Sequence, residues 1–86
     1  MKHYDVIKYP LSTEKAVRLM ESENKLLFIV DNKASKNDVK DAIESIFKVK
    51  VEKVNTLILP SGMKKAYIRL AKENPAIDVA TQLGLV

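Results

Sequence analysis

An unbroken apolar run in the first half of the chain most narrows the folds that this sequence can adopt. Residues 25–31 read Lys-Leu-Leu-Phe-Ile-Val-Asp, so that five apolar residues stand together between two charged ones. A strand that is covered on both faces has this composition, and Phe28, Ile29 and Val30 favour a strand over a helix. The run therefore predicts a central strand of a sheet, with helices against at least one side.

Two amphipathic helices are predicted on either side of this strand in the sequence. Residues 12–23 carry a narrow apolar stripe, and the hydroxyls at the start of this segment can cap it. Residues 35–47 carry a wider stripe, and Ser35 followed by Asp38 three positions later predicts a capping box. The stripe of this second helix consists of Val39, Ala42, Ile43, Ile46 and Phe47.

Further elements are predicted at the two ends of the chain. Residues 4–9 predict a short first strand, which Pro10 ends because proline has no amide to donate. Residues 75–83 predict a last helix, with Asn74 as its cap and Pro75 at its first position. The buried face of this helix is expected to consist of Ile77, Ala80 and Leu83.

A hairpin is predicted between these ends. The alternation of residues 49–59 changes phase, and either a bulge near Glu52 and Lys53 or burial of the later end on both sides accounts for the change. The short Pro-Ser-Gly turn at residues 60–62 predicts antiparallel pairing of this strand with residues 64–70.

Together these segments predict one α+β domain over residues 1–86. We expect a mostly antiparallel four-stranded sheet packed with helices, in the order β-α-β-α-β-β-α. The chain is 47% hydrophobic and 30% charged, which is typical of a globular protein and not of a disordered one. It has no cysteine, no apolar run long enough to span a membrane and no signal-peptide pattern, so we expect a cytoplasmic protein without a membrane partner.

The last strand carries the pattern that bears most on function. One side of residues 64–70 carries Ala66, Ile68 and Leu70, and the other carries Lys65, Tyr67 and Arg69. One face can therefore lie on a core while the other offers a cation, a ring and a cation, which suits the phosphates and bases of RNA. A half-buried strand with a solvated lysine face explains the same alternation equally well.

Positive charge is concentrated in the same part of the chain. The net charge is +4, from 15 Lys and Arg against 11 Asp and Glu, and ten of the cations but only four of the acids lie from Lys33 to Lys72. This region favours a nucleic-acid partner. From charge placement alone, Lys33, Lys36 and Lys40 are added as candidate RNA contacts, although a solvated helix face is the simpler explanation of Lys40.

The sequence shows no pattern typical of catalysis or metal binding. The single histidine, His3, lies at the tip of the chain, whereas a general base requires fixed geometry. Gly62 and Gly84 are explained by a turn and a helix end, and the carboxylates do not have metal-ligand spacing. We therefore expect no enzymatic activity, no cofactor and no small-molecule substrate.

Three segments, taken in order, resemble the universal family of large-subunit ribosomal protein L23. Residues 7–15 resemble the family's proline followed by Ser/Thr-Glu-Lys, and residues 54–56 its third-strand Val-Asn-Thr. Residues 64–70 resemble the family signature of two basic residues, Ala, two β-formers, a basic residue and Leu. The likeness covers essentially the whole chain, and the third segment is the specific one.

The resemblance implies a structural constituent of the large ribosomal subunit in the cytoplasm, which binds large-subunit rRNA near the polypeptide exit tunnel. It also implies ribosomal protein L29 as a neighbour, and the signal recognition particle or other exit-site factors as docking partners. The family fold, an antiparallel four-stranded sheet with helices, agrees with the predicted order. The rRNA contacts that it implies are Lys8, Ser12, Thr13, Lys15, Asn55, Thr56, Lys64, Lys65, Tyr67 and Arg69.

The chain departs from its relatives in two places. Bacterial members have a long loop between the last two strands that reaches the tunnel, whereas here only about residues 60–63 connect them, and the long basic extension of eukaryotic members is missing. The compact form resembles archaeal members. The helix at 75–83 and the outer side of 35–47 are expected to meet protein partners.

Two other classes of function were weighed against RNA binding. A protein-interaction module without RNA affinity is the main alternative. A small hydrolase of ferredoxin-like build, with an Arg and an Asn in a phosphate cradle, is disfavoured because no Gly-rich loop accompanies Arg18.

Overall fold

The elements follow one another in the predicted order, with one helical turn added at the start. The computed structural model describes residues 3–84 of the chain. In chain order the elements are α1 (His3–Val6), β1 (Ile7–Pro10), α2 (Glu14–Glu23), β2 (Lys25–Val30), α3 (Lys36–Phe47), β3 (Val51–Ile58), β4 (Lys64–Leu70) and α4 (Ala76–Gln82). The predicted α+β class and four-stranded sheet are confirmed.

The four strands form one sheet in the order β1-β2-β4-β3, and all neighbouring strands run antiparallel. The apolar run of β2 is therefore central, as predicted, and all five of its apolar residues are buried. The β3–β4 hairpin is also confirmed. Its turn places Gly62 at φ 90°, where a residue with a side chain is strained, and Leu59 and Met63 close the turn with a backbone bond of 2.8 Å.

The register between β2 and β4 decides which residues enter the core. Leu26 lies opposite Ile68 and Phe28 lies opposite Ala66. These four side chains belong to one apolar cluster, to which each of the four helices contributes buried residues. The helix residues in this cluster are Val6, Met20, Val39, Ala42, Ile43, Ala76, Val79 and Ala80. The side chains of opposite parity, such as Tyr67, form what we call the outer face of the sheet.

A bulge restores the phase of β3. Val51 lies opposite Leu70 and Lys53 lies opposite Arg69, so that Glu52 is an extra residue between adjacent pairs. The predicted bulge is thus confirmed. The other explanation, burial of the later end on both sides, is wrong, because Ile58 is 58% exposed.

The first predicted strand is shorter than expected. Residues 3–6 form α1, and β1 begins only at Ile7. Val6 is buried in the apolar cluster, and its carbonyl oxygen accepts a 2.8 Å bond from the amide of Asp31, so tertiary packing fixes the helical turn. A turn this short has no sequence periodicity to reveal it.

Two predicted core residues are also wrong. Ile46 of α3 is 42% exposed and Ile77 of α4 is 38% exposed. In α3 the buried residues form a narrower stripe than the apolar residues do. In α4 the residues buried in the core are Ala76, Val79 and Ala80, of which Ala80 was predicted.

The capping box of α3 is confirmed. The hydroxyl of Ser35 accepts a 3.1 Å bond from the amide of Asp38, and the carboxylate of Asp38 accepts a 2.9 Å bond from the amide of Ser35. The backbone N–H of Ser35, and after it the Ser35 side chain, hold the pKa of Asp38 below its ordinary value.

Asn24 joins three parts of the fold that are distant in sequence. It ends α2 with φ at 55°, and its Nδ2 donates to the carbonyl oxygens of Leu70 (3.2 Å), Ala71 (3.1 Å) and Asn74 (3.2 Å). Its Oδ1 accepts a 2.6 Å bond from the amide of Ala76, at the start of α4. The sequence predicted Asn74 as the N-terminal cap of α4. That prediction is wrong, because the Asn74 side chain instead accepts a hydrogen bond from the amide of Lys50.

Replacement of Asn24 tests this junction. We expect Asn24→Gly, which keeps the left-handed backbone accessible, to lower the free energy of unfolding by about 2–3 kcal/mol because partly buried backbone groups lose their partners. Asn24→Ala should lower it by about 1 kcal/mol more, since alanine is strained at positive φ. Urea denaturation measures both. The exposed Asn37→Ala is the control, and equal stability of Asn24→Gly and Asn37→Ala would contradict the junction.

The capping box predicts a pH dependence. Because the folded-state pKa of Asp38 lies below its unfolded value, the cap's contribution to stability is complete above the unfolded pKa and is lost as pH falls through the folded pKa. Ser35→Ala should raise the pKa of Asp38 towards its ordinary value, as measured by NMR titration of the carboxyl carbon. Ser45→Ala, at an exposed serine of the same helix, should leave it unchanged. A titration of Asp38 that is identical in Ser35→Ala and the parent chain would show that the Ser35 hydroxyl does not contribute to this lowered pKa.

Candidate nucleic-acid interface

The outer face of the sheet presents side chains in three rows that cross the strands. The first row is Tyr9, Ile29, Lys65 and Leu57; the second is Leu27, Tyr67 and Asn55; the third is Lys25, Arg69 and Lys53. Neighbouring strands lie about 4.8 Å apart, so members of a row are in reach of one another. Cations therefore lie beside an apolar and aromatic centre.

Tyr67 occupies the middle of this face. It is half-buried, with Leu27 opposite it on β2 and Asn55 opposite it on β3, while Ile68 next to it is fully buried in the core. The ammonium nitrogen of Lys65 lies 5.2 Å from the centroid of the Tyr67 ring, which is a cation–π contact. The face thus combines a ring that can stack, an amide that can bond a base edge and a mobile cation.

Arg69 is the second cation of β4 on this face. Its Nε lies 3.8 Å from Oε1 of Glu52, the bulge residue, and both side chains are about half exposed at 54% and 52%. An exposed pair of this length is worth at most about 1 kcal/mol. The guanidinium can therefore exchange the carboxylate for a phosphate, to which it can donate two parallel bonds.

An apolar floor underlies the cations. Leu27 and Ile29 point away from the helix cluster, yet they are only 3% and 2% exposed. Tyr9 and Leu57, which flank them in the first row, are 45% and 50% exposed. The outer face is therefore amphipathic across its width.

The predicted contact residues lie in several places. Lys65, Tyr67 and Arg69 lie together on the outer face, as the strand parity indicated, and strand pairing brings Asn55 beside them. Five of the others surround the sheet at exposed positions: Lys8 on β1, Ser12 before α2, Lys15 in α2, and Lys36 and Lys40 in α3. Lys33 is exposed in the loop between β2 and α3.

Three predicted contact residues have structural roles or lie on the other face. The hydroxyl of Thr13 accepts a 3.2 Å bond from the amide of Ala16 and caps α2. Lys64 and Thr56 share the parity of the core face, and the Lys64 ammonium donates a 2.6 Å bond to the carbonyl oxygen of Ala34. The structure therefore does not bring these three side chains to the Tyr67 ring.

Sequence reasoning missed several members of the outer face. Lys25, Lys53, Tyr9 and Leu57 join it only through strand pairing, and a single strand gives no signal of its partner's register. Over residues 3–84, no group of three or more His, Cys, Asp or Glu side chains could hold a metal ion. Nor is any helix in that range long and apolar enough to cross a membrane.

Comparison with known families agrees with the resemblance noted in the sequence. The model of the family described as Ribosomal protein L23 matches residues 5–79. The match includes all four strands, and with them every residue of the outer face.

Proposed function

The chain belongs to the ribosomal protein L23 family and is thus a structural constituent of the large ribosomal subunit, and we propose that it binds large-subunit rRNA through the outer face of its sheet, near the polypeptide exit tunnel. The observation that carries this proposal is the placement of Lys65, Tyr67 and Arg69 on one side of β4, with Ile68 buried on the other. A sheet with an apolar underside turns a cationic, ring-bearing surface outwards.

The chemistry of the outer face supports different roles in RNA binding for its cations and for its ring and amide. Lys65 and Arg69, with Lys25 and Lys53 in the neighbouring strands, bind backbone phosphates and fix the position of the RNA. A base or ribose stacks on Tyr67, and Asn55 bonds an edge beside it. Lys65 leaves the ring for a phosphate when RNA binds. RNA contacts away from the outer face are also proposed at the remaining predicted residues, which are Lys8, Ser12, Thr13, Lys15, Lys33, Lys36, Lys40, Thr56 and Lys64.

Protein partners are proposed for the helical side of the domain. Ile46 on α3 and Ile77 on α4 are exposed apolar residues on the two helices that the sequence assigns to protein contacts. Ribosomal protein L29 and exit-site factors such as the signal recognition particle are the partners we propose there, in an archaeal-type cytoplasmic ribosome. The five-residue connection at 59–63 keeps the hairpin short, so contact with the nascent chain inside the tunnel is not part of the proposal.

Removal of charge from the outer face should weaken RNA binding. The variant Lys65→Ala with Arg69→Ala is expected to bind a large-subunit rRNA transcript about 10- to 100-fold more weakly, and to reduce the slope of log affinity against log salt by about 2. A filter-binding titration over a series of salt concentrations measures both quantities. Circular dichroism should show an unchanged fold, because both side chains point away from the core.

Arg18→Ala is a matched control for Arg69→Ala. These are the only two arginines in the chain, and each is paired with a glutamate, Arg18 with Glu14 at 2.8 Å in α2. We expect Arg18→Ala to bind RNA almost as the parent chain does. If it weakens binding as much as Arg69→Ala, general charge and not the outer face accounts for affinity.

The ring of Tyr67 should contribute by stacking. Tyr67→Ala is expected to weaken binding by about 1–3 kcal/mol, whereas Tyr67→Phe keeps the ring and should retain most of the affinity. Since neither change alters charge, the salt slope should stay constant in the same titration. Equal affinity of the alanine and phenylalanine variants would remove stacking from the proposal.

A further inference from the structure

A groove lies at one end of the sheet, beside the outer face. It is open to solvent, has a volume of about 370 Å³, and runs between β1, the end of β2 and the tip of the β3–β4 hairpin. Its size is at the lower end of that of small-ligand sites. The side chains that matter for its chemistry are Lys8, Ile29, Asp31, Asn32, Lys33 and Met63. We call it the edge groove.

Two hydrogen bonds hold the walls of the edge groove together. Nδ2 of Asn32 donates a 2.9 Å bond to the carbonyl oxygen of Gly62, which ties the β2–α3 loop to the hairpin turn. The hydroxyl of Tyr9 lies 3.5 Å from Sδ of Met63, which ties β1 to the same turn. The groove is therefore formed from three segments before any partner binds.

The lining of the groove combines an apolar surface with cations. Ile29 is buried at its floor, and Met63 is 40% exposed in its wall. Lys8 and Lys33 are exposed at its sides. The carboxylate of Asp31 also lines it, and its Oδ1 accepts a 2.8 Å bond from the amide of Lys33.

This combination fits a nucleotide better than a peptide. A nucleotide joins a flat aromatic base to an anion, so the base can contact an apolar floor while lysines hold the phosphate. The polarizable sulfur of Met63 makes favourable contacts with aromatic rings. An apolar peptide segment would offer no anion to the two lysines. A purely acidic segment would offer no apolar group to Ile29 and Met63.

The groove is continuous with the outer face. Ile29 lies opposite Lys65 on β4 and opposite Tyr9 on β1, so that the first row of the outer face shares Ile29 with the groove. We propose that the edge groove holds one unstacked nucleotide of an RNA that crosses the outer face, with its base against Met63 above the buried Ile29 and its phosphate between Lys8 and Lys33. This inference rests on the proposed RNA-binding function and adds a single-nucleotide subsite to it.

Methyl NMR of the full chain tests the subsite directly. With 13C-methyl methionine, Met63 reports on the groove, and Met20, which is 5% exposed in the core, is the internal control. The probes are the four nucleoside 5′-monophosphates and inorganic phosphate. We expect at least one nucleotide to shift the Met63 methyl signal in a saturable way, with Met20 unmoved, and phosphate alone to leave Met63 in place.

Variants then distinguish the groove from general attraction to lysines. Lys33→Ala should weaken nucleotide binding by about 5-fold, whereas Lys72→Ala, at an exposed lysine after β4 that lies outside the groove lining and is not a proposed RNA contact, should leave it unchanged. The proposal is overturned if phosphate and nucleotide shift Met63 equally, if no nucleotide shifts it, or if the two variants behave alike. It is also overturned if a short acidic peptide with an aromatic residue binds there more tightly than every nucleotide.

The outcome for the subsite is separable from that for the outer face. If Arg69→Ala binds rRNA weakly but no nucleotide shifts the Met63 methyl signal of the parent chain, only the proposal of the edge groove is rejected. Unchanged rRNA binding by Arg69→Ala removes the function on which the groove depends, whatever Met63 shows.

Discussion

The pairing of β2 with β4 is the constraint on which the rest of the molecule depends. Because side chains alternate along a strand, one register fixes both faces at once: Leu26 with Ile68 enters the core, and Leu27 with Tyr67 faces outwards. A slip by one residue would put Tyr67 and Arg69 against the helices and Ile68 into solvent. The apolar packing of four helices on one face therefore also holds the cationic surface in place on the other. Stability and recognition come from the same set of backbone bonds.

The ends of the elements are held by side chains whose partners lie on other elements. Asn24 satisfies carbonyl oxygens after β4 and the first amide of α4, while the Glu44 carboxylate accepts a 2.9 Å bond from the amide of Val51 at the start of β3. Such groups cost about 1–3 kcal/mol when they are left without partners in a partly buried place. In a domain of this size, whose total stability is of the order of 5–10 kcal/mol, each junction is a large share of the whole. The helices are thus fixed to the sheet at their termini as well as through the core.

Local patterns predicted what depends on neighbouring residues, and little of what depends on distant ones. The apolar run of β2 and the capping box at Ser35 are readable within a few positions, whereas the phase change near Glu52 left a bulge and two-sided burial open. The bonds of Asn24 reach residues 46 to 52 positions away, and α1 is held by packing on α3, so neither leaves a trace in periodicity. The outward residues of β4 were predictable from alternation, but their neighbours Leu27 and Asn55 were not. Lys64 shares the parity of Ala66, and its place on the core side could have been read from the same alternation.

The extra residue at Glu52 also bears on how the chain behaves before it meets RNA. β3 is an edge of the sheet, and a regular edge exposes a row of amides and carbonyls to which another chain can add a strand. The bulge interrupts that row near its start and places the Glu52 carboxylate 3.8 Å from Nε of Arg69, so this edge does not offer a regular, continuous template for a second copy. The irregularity therefore disfavours addition of a strand from a second copy at this edge.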